Sequence, residues 1–173
     1  ASISGRLSVC WVFPAGGTGA DIHSPRNFVG RWSQIHIAGK VADLFEPTRP
    51  LDPARGVLAL HGFDLRTLAD DPVVFTTLLE ARGLYAVCPH GELCWWGWRI
   101  CSQFDSDIAP LDFLHQRLLP EVTERWHIAP PMLAALGIEM GGQGALRLAY
   151  RWPREFPVVA AISPAVDFQN RHG

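Results

Sequence analysis

The sequence predicts an α/β fold with a mainly parallel sheet, an N-terminal antiparallel hairpin, and helices on both faces. Two observations carry this prediction. A pair of short alternating strands occurs near residue 35, and after it strand and helix patterns follow one another in strict alternation without an internal repeat. Because parallel strands need crossover connections, which helices supply, that alternation favours a parallel sheet. The 173 residues, 48% hydrophobic and 18% charged, suit a single domain with a sizeable core.

The hairpin is predicted from a change of pattern after residue 31. Ile35 and Ile37 alternate with polar residues, Ala38-Gly39 supplies a tight turn, and residues 41–45 continue with strand-like composition. Residues 1–30 hold one apolar run, a glycine-rich stretch and then polar residues. We therefore expect residues 1–30 to be an N-terminal extension and the domain to begin at residue 31.

The remaining elements are predicted from apolar runs, helical spacing and breaker residues. They are a strand at 57–60, a helix from Asp71-Pro72 to Gly83, a strand at 84–88, a helix across 111–126, a strand at 132–138, a helix at 142–152 and a strand at 158–163. Pro120 is expected to kink its helix. A long loop between Pro89 and Asp107 carries three tryptophans.

Composition excludes several classes of function. The net charge of −2, with Lys and Arg scattered, gives no basic patch for nucleic acid, and no apolar stretch reaches the roughly 18–20 residues that span a bilayer. The four cysteines predict neither a disulfide scaffold nor a zinc site, which favours reduced thiols in the cytoplasm. We therefore expect a soluble, cytoplasmic protein that needs no cofactor or metal. Pairing of Cys94 with Cys101 in an oxidising compartment is the less favoured alternative.

The sharpest motif is the glycine-rich turn at residues 137–142, which follows a predicted strand and precedes a helix. Glycines two before and two after residue 139 allow a strand to turn abruptly into a helix, which lifts the side chain of Glu139 into the cleft beyond the strands. Spacing alone leaves three interpretations open: such a turn can be catalytic, structural or phosphate-binding.

The sequence from Leu136 to Ala149 resembles the nucleophile region of the putative-esterase (esterase D-like) family of α/β-hydrolases. The resemblance covers roughly residues 31–170. It extends to three further motifs: His61-Gly62-Phe63, Cys88-Pro89-His90-Gly91 with the Trp95-Trp96 pair, and Ser163-Pro164-Ala165. It implies an α/β-hydrolase fold, of which residues 31–173 are the N-terminal portion, and a carboxylic ester hydrolase with a Ser, Asp and His triad in that chain order.

Two features depart from that family. Glu139 stands where the nucleophilic serine is expected, and a carboxylate that attacked an ester would form a mixed anhydride, which is more reactive than the substrate. The family's acid and histidine follow later strands, and His172 comes too early to be the triad histidine. We therefore expect a hydrolase that is impaired as written. We also expect a complementary C-terminal segment or chain to cover the apolar edge left by the strand at 158–163.

By analogy with the family, the oxyanion hole would use the backbone N–H groups of Met140 and Phe63, and Glu139 would act as a built-in anion that blocks it. We expect the pocket for a small-molecule ester or similar ligand to be lined by His61, Gly62, Trp95, Trp96 and Gln143. Simpler interpretations stay open for some of these side chains. His61 is more often a structural hydrogen bonder in such a position, and the tryptophans are equally often the private core of a loop. His90 with Cys88 indicates a metal only weakly.

Two other functions remain open. The first is a non-catalytic hydrolase-like binding or interaction subunit, in which the cleft holds a ligand and the sheet edge holds a partner. A weaker alternative uses Glu139 as a nucleophile or base on a non-ester electrophile, since attack on carbon gives a stable ester.

Overall fold

The computed structural model describes residues 30–166, which form one six-stranded mixed sheet with helices on both faces. The strands are β1 (Arg31–Ile37), β2 (Lys40–Glu46), β3 (Gly56–Leu60), β4 (Tyr85–Pro89), β5 (Leu133–Ile138) and β6 (Val159–Ile162). The helices are α1 (Pro72–Arg82), α2 (Pro110–Phe113), α3 (Leu119–Trp126) and α4 (Met140–Arg151), with a 3-10 turn at Leu68–Asp70 and a π-helical turn at Leu114–Leu118. The predicted N-terminal extension lies outside the described residues, apart from Gly30.

The strand order across the sheet is β1-β2-β4-β3-β5-β6. β1 and β2 pair antiparallel through the predicted turn at Ala38-Gly39, and β2 pairs antiparallel with β4. The pairs β4–β3, β3–β5 and β5–β6 are all parallel. The predicted fold class is confirmed, and the carboxyl ends of β3, β4, β5 and β6 meet at one edge of the sheet.

Alternating residues of β3 show why both faces need helices. Leu58 and Leu60 pack in the large cluster formed with α2, α3 and α4, whereas Val57 and Ala59 face the other side with Phe75 of α1. A strand that is apolar on both faces reads as a continuous hydrophobic run, as residues 57–60 do. The sheet is therefore a central layer covered on each side.

The predicted helix across residues 111–126 forms, and it contains one irregular turn. α2 passes directly into the π-helical turn and then into α3, and Pro120 lies in the first turn of α3. A proline has no N–H to donate to the preceding turn. The five-residue π turn ends two residues before Pro120, so the hydrogen bonding of this helix is irregular next to the proline that we expected to kink it.

β6 is the outermost strand on its side of the sheet and pairs with β5 alone within residues 30–166. Apolar side chains at and beside this edge are exposed, Val158 by 55% and Ile162 by 52%. The open apolar edge expected from the sequence is therefore present in the described part of the chain. None of the helices in residues 30–166 has the length and apolar character needed to cross a membrane.

Candidate active site

The bend between β5 and α4 has the geometry expected of a nucleophile elbow. Glu139 takes φ 50° and ψ −111°, a left-handed conformation that side chains rarely adopt, and α4 begins at the next residue. A Cβ atom at Gly137 would lie 2.0 Å from the carbonyl oxygen of Gly141, and one at Gly141 would lie 2.1 Å from that of Leu60. The two glycines therefore permit the strand, the turn and the helix to approach at distances that any side chain would prevent.

The neighbouring strand holds the bend from its other side. The N–H of Glu139 donates to the carbonyl of Ile162 at 2.8 Å, and the N–H of Ala165 donates to the carbonyl of Glu139 at 3.1 Å. Ser163, which lies between Ile162 and Ala165, also has a positive φ, of 46°. Residue 139 is thus fixed by β5, by α4 and by the segment that follows β6.

The carboxylate of Glu139 lies against the loop that follows β3. Its Oε2 atom accepts a hydrogen bond from the backbone N–H of Phe63 at 2.9 Å. Gly62 makes this approach possible, because a Cβ atom there would lie 2.7 Å from the same Oε2. The N–H of Met140 is the first of α4 and so has no partner within the helix. The side chain at 139 therefore uses one of the two backbone donors that the family resemblance assigns to the oxyanion hole.

His61 is buried and connects two of the loops at this edge. Its Nε2 accepts a hydrogen bond from the N–H of Gly91 at 2.9 Å, which leaves the proton on Nδ1, 3.0 Å from the carbonyl of Gly62. Burial lowers the pKa of His61 below its ordinary value of 6.5, which favours this neutral form. The imidazole is a structural hydrogen bonder, and through Gly62 it also orients the loop that carries Phe63.

The three tryptophans of the long loop have different environments. Trp96 is fully buried, contacts the His61 ring edge-on at 5.1 Å, and donates from Nε1 to the His61 carbonyl at 3.2 Å. It belongs to the core, which differs from its predicted place in a pocket wall. Trp95 is half-buried, and its ring meets that of Phe63 edge-on at 4.9 Å, whereas Trp98 is 60% exposed. The loop thus contributes both to the core and to the surface beside the elbow.

Gln143, one turn into α4, donates its backbone N–H to the carbonyl of Glu139 at 3.1 Å. Its side-chain Oε1 is the only buried side-chain oxygen or nitrogen without a hydrogen-bond partner in residues 30–166. A buried polar atom without a partner is uncommon in proteins, and this one lies one turn from the elbow.

The sequence analysis missed a buried carboxylate in β2. Asp43 is 5% exposed, and it accepts hydrogen bonds from Gln34 at 2.7 Å and from the Thr67 hydroxyl at 2.7 Å, while His90 Nε2 lies 2.9 Å away. These residues join β1, β2, the end of β4 and the turn after the Phe63 loop. The only sequence signal is an acidic residue between Ala42 and Leu44 in an apolar strand.

His90 and Cys88 do not form a metal site together. His90 pairs with Asp43, and the thiol of Cys88 is fully buried, which raises its pKa to about 12. Within residues 30–166 no group of three or more His, Cys, Asp or Glu side chains is placed to hold a metal ion. Cys88, Cys94 and Cys101 are all free thiols.

Comparison with known proteins agrees with this geometry. The family model described as Putative esterase matches residues 102–171, a range that contains the elbow, and the resemblance inferred from the sequence is confirmed. No curated protein matches the chain.

Three solved structures show the same fold at low identity. The substrate-bound fluorophosphonate-binding serine hydrolase F of Staphylococcus aureus is 15% identical with a TM-score of 0.64, over 82% of this chain and 60% of that one. A ferulic acid esterase is 19% identical with a TM-score of 0.60, over 84% and 63%. The S-formylglutathione hydrolase of Agrobacterium tumefaciens is 18% identical with a TM-score of 0.60, over 84% and 62%. The chain thus spans about six tenths of the length of these proteins.

Proposed function

We propose that this chain is the elbow-bearing part of a carboxylic ester hydrolase whose oxyanion site is closed by Glu139. The α/β-hydrolase fold and the match to the putative-esterase family over residues 102–171 support this proposal. The observation that carries the proposal is the hydrogen bond from the Phe63 N–H to the Glu139 carboxylate, 2.9 Å long. A donor already paired with a resident anion is unavailable to a substrate oxygen. The chain therefore keeps the fold of an ester hydrolase, while Glu139 prevents the reaction.

The chemistry of the two side chains supports this interpretation. A serine hydroxyl gives up its proton to a base and forms an acyl-enzyme ester that water can hydrolyse. A glutamate that attacked the same carbonyl would produce an anhydride, so Glu139 is not a substitute nucleophile for esters. Its carboxylate instead mimics the negative oxygen that the two backbone donors would stabilise in the transition state.

The activity of the whole protein needs residues beyond those described. The solved neighbours are longer than this chain, and β6 presents an unpaired edge within residues 30–166. We propose that a further segment or partner chain pairs with β6 and supplies the acid and the histidine of the triad. These groups would activate a serine at position 139.

The test is replacement of Glu139 in the full-length protein, assayed by release of p-nitrophenol from p-nitrophenyl acetate. Glu139→Ser should hydrolyse the ester about 100-fold or more faster than Glu139→Ala, since both variants free the oxyanion donor and only serine supplies a nucleophile. Glu139→Gln keeps the size without the charge and should stay inactive. If Glu139→Ser shows no gain over Glu139→Ala, the blocked-esterase proposal fails.

A second candidate, a non-catalytic binding subunit, is favoured by the same contact. An anion held on the backbone donor of Phe63 stabilises the loop without any reaction, in the way that carboxylates stabilise helix N-termini. The two functions differ in the serine variant, because a binding subunit gains no turnover from Glu139→Ser.

A further inference from the structure

A cleft of about 760 Å³ opens beside the tryptophan loop and does not include the elbow. Nine residues of the segment 94–103 and Arg147 of α4 line it, whereas Glu139, Met140 and Phe63 do not. Arg147 lies eight residues beyond Glu139 along α4, which is about 12 Å of helix at 1.5 Å per residue. A ligand in this cleft would therefore occupy a different place from the reacting group of an ester at residue 139.

The charges lining the cleft are of one sign. Its lining holds two arginines, Arg99 and Arg147, and no aspartate or glutamate. Neither arginine takes part in an ion pair within residues 30–166. The electrostatic character of the cleft is thus that of an anion site.

Arg147 is held in place, although it has no counterion in the described part of the chain. Its Nη1 donates to the carbonyl of Trp95 at 2.8 Å, and its guanidinium lies 5.1 Å from the centre of the Trp98 ring. Arg147 is half-buried, and this burial lowers its pKa. A guanidinium has five N–H donors, and a planar carboxylate can engage two of them at once.

The rest of the cleft carries two exposed apolar side chains beside the polar Ser102 and Gln103. Trp98 is 60% exposed and Ile100 is 53% exposed, which is unusual for side chains of this size next to one another. The guanidinium covers one face of the Trp98 indole, and the exposed remainder of the ring is accessible to a second aromatic ring, so a ligand with a ring and a carboxylate would meet both complements.

From this combination we propose that the cleft between residues 94–103 and Arg147 binds an aromatic carboxylate, with the carboxylate on Arg147 and Arg99 and the ring against Trp98. Binding does not depend on chemistry at Glu139. The site is set up by the bond of Arg147 to the Trp95 carbonyl, which fixes the arginine relative to the loop.

The test is isothermal titration calorimetry with 2-naphthoate and with its neutral analogue 2-naphthylmethanol. Naphthoate should bind, and the alcohol should bind at least about tenfold more weakly, because it lacks the charge-assisted hydrogen bonds. Arg147→Gln should weaken naphthoate by about tenfold and leave the alcohol unchanged. Arg154→Gln, which removes an exposed arginine that does not line the cleft, is the matched control and should bind naphthoate like the parent.

Two further variants keep the proposal open to refutation. Arg99→Gln alters an exposed side chain and should weaken naphthoate even if Arg147→Gln does not fold. Glu139→Gln should bind naphthoate like the parent, which separates this site from the proposed ester chemistry. Equal affinity for the acid and the alcohol, absence of naphthoate binding, or loss of binding in Glu139→Gln would each overturn the proposal.

Discussion

His61 ties together the loops after β3 and β4, and its bonding pattern depends on a neutral imidazole. Nε2 has to accept from the N–H of Gly91, which it cannot do once it carries a proton. Burial accordingly lowers the pKa of His61 in the folded chain below 6.5. Protonation therefore breaks the contact of the His61 ring with Gly91 in the loop after β4, while Nδ1 still donates to the carbonyl of Gly62.

The pH dependence of stability follows from that lowered pKa. Between the folded and the unfolded pKa the unfolded chain binds the proton and the folded chain does not, so acid favours unfolding. The contribution of His61 should be fully present above about pH 7 and should diminish as the pH falls below about 6.5. Urea denaturation at pH 7.5 and pH 5.5 measures this change in the free energy of unfolding.

His61→Gln isolates the effect. This variant should be less stable than the parent at pH 7.5 and should lose less stability between pH 7.5 and pH 5.5. His36→Gln removes an exposed imidazole from β1 and serves as the control. An unchanged pH dependence in His61→Gln would show that another group is responsible.

Some of the site could be predicted at the level of single residues, and some could not. The conformation of Glu139 follows from glycines two positions away on either side, a local pattern that the sequence displays. The network around Asp43 is not local, because its partners Gln34, Thr67 and His90 lie 9, 24 and 47 residues away. Only the register of β1, β2 and β4 brings them together, and one sequence does not disclose that register.

Among the elements, α4 lies unusually close to the sheet where it begins. Gly141 faces the end of β3, and a Cβ atom there would stand 2.1 Å from the carbonyl oxygen of Leu60 and 2.5 Å from that of His61. Both neighbours are backbone atoms of a buried strand end, which cannot turn aside as a flexible side chain can. A methyl group at this position therefore has to push α4 away from β3.

Gly141→Ala should consequently lower the free energy of unfolding by about 1–3 kcal/mol, the usual range for overpacking. Gly97→Ala is the matched control, since its nearest neighbour would be 3.5 Å away, and it should change stability by less than about 0.5 kcal/mol. Chemical denaturation of the two variants and the parent gives both values. Equal stability of the Gly141→Ala variant and the parent would contradict the close approach of α4 to β3.

The elements also show where a sequence pattern is sufficient. The apolar run at 57–60 predicts a strand buried on both faces, and β3 is one. Helical spacing across residues 111–126 predicts a helix, yet the π turn at Leu114–Leu118 has no such signature. The π turn lies just before Pro120, so the proline indicates that the helix is irregular here but not which form the irregularity takes.

Within residues 30–166, every strand of the sheet pairs with a neighbour on both sides except the two outer strands, β1 and β6. β6 is the more apolar of these two edges, with Ile162 exposed by 52% next to the elbow. A parallel strand with free backbone groups and exposed apolar side chains is a template for pairing with another strand. The proposed function needs a further segment at β6, and without that segment the same edge is open to another copy of the chain.

We expect the isolated chain to self-associate through β6, and sedimentation velocity over a range of concentrations measures this. A lysine next to the paired edge opposes strand addition, because its charge would lose water in the contact. Ile162→Lys should therefore weaken association by about tenfold, which corresponds to about 1.4 kcal/mol. Val73→Lys places the same charge on an equally apolar and 79% exposed position of α1, so it should associate like the parent. A chain that stays monomeric at every concentration, or one in which both lysines act alike, would show that β6 is not the surface that pairs.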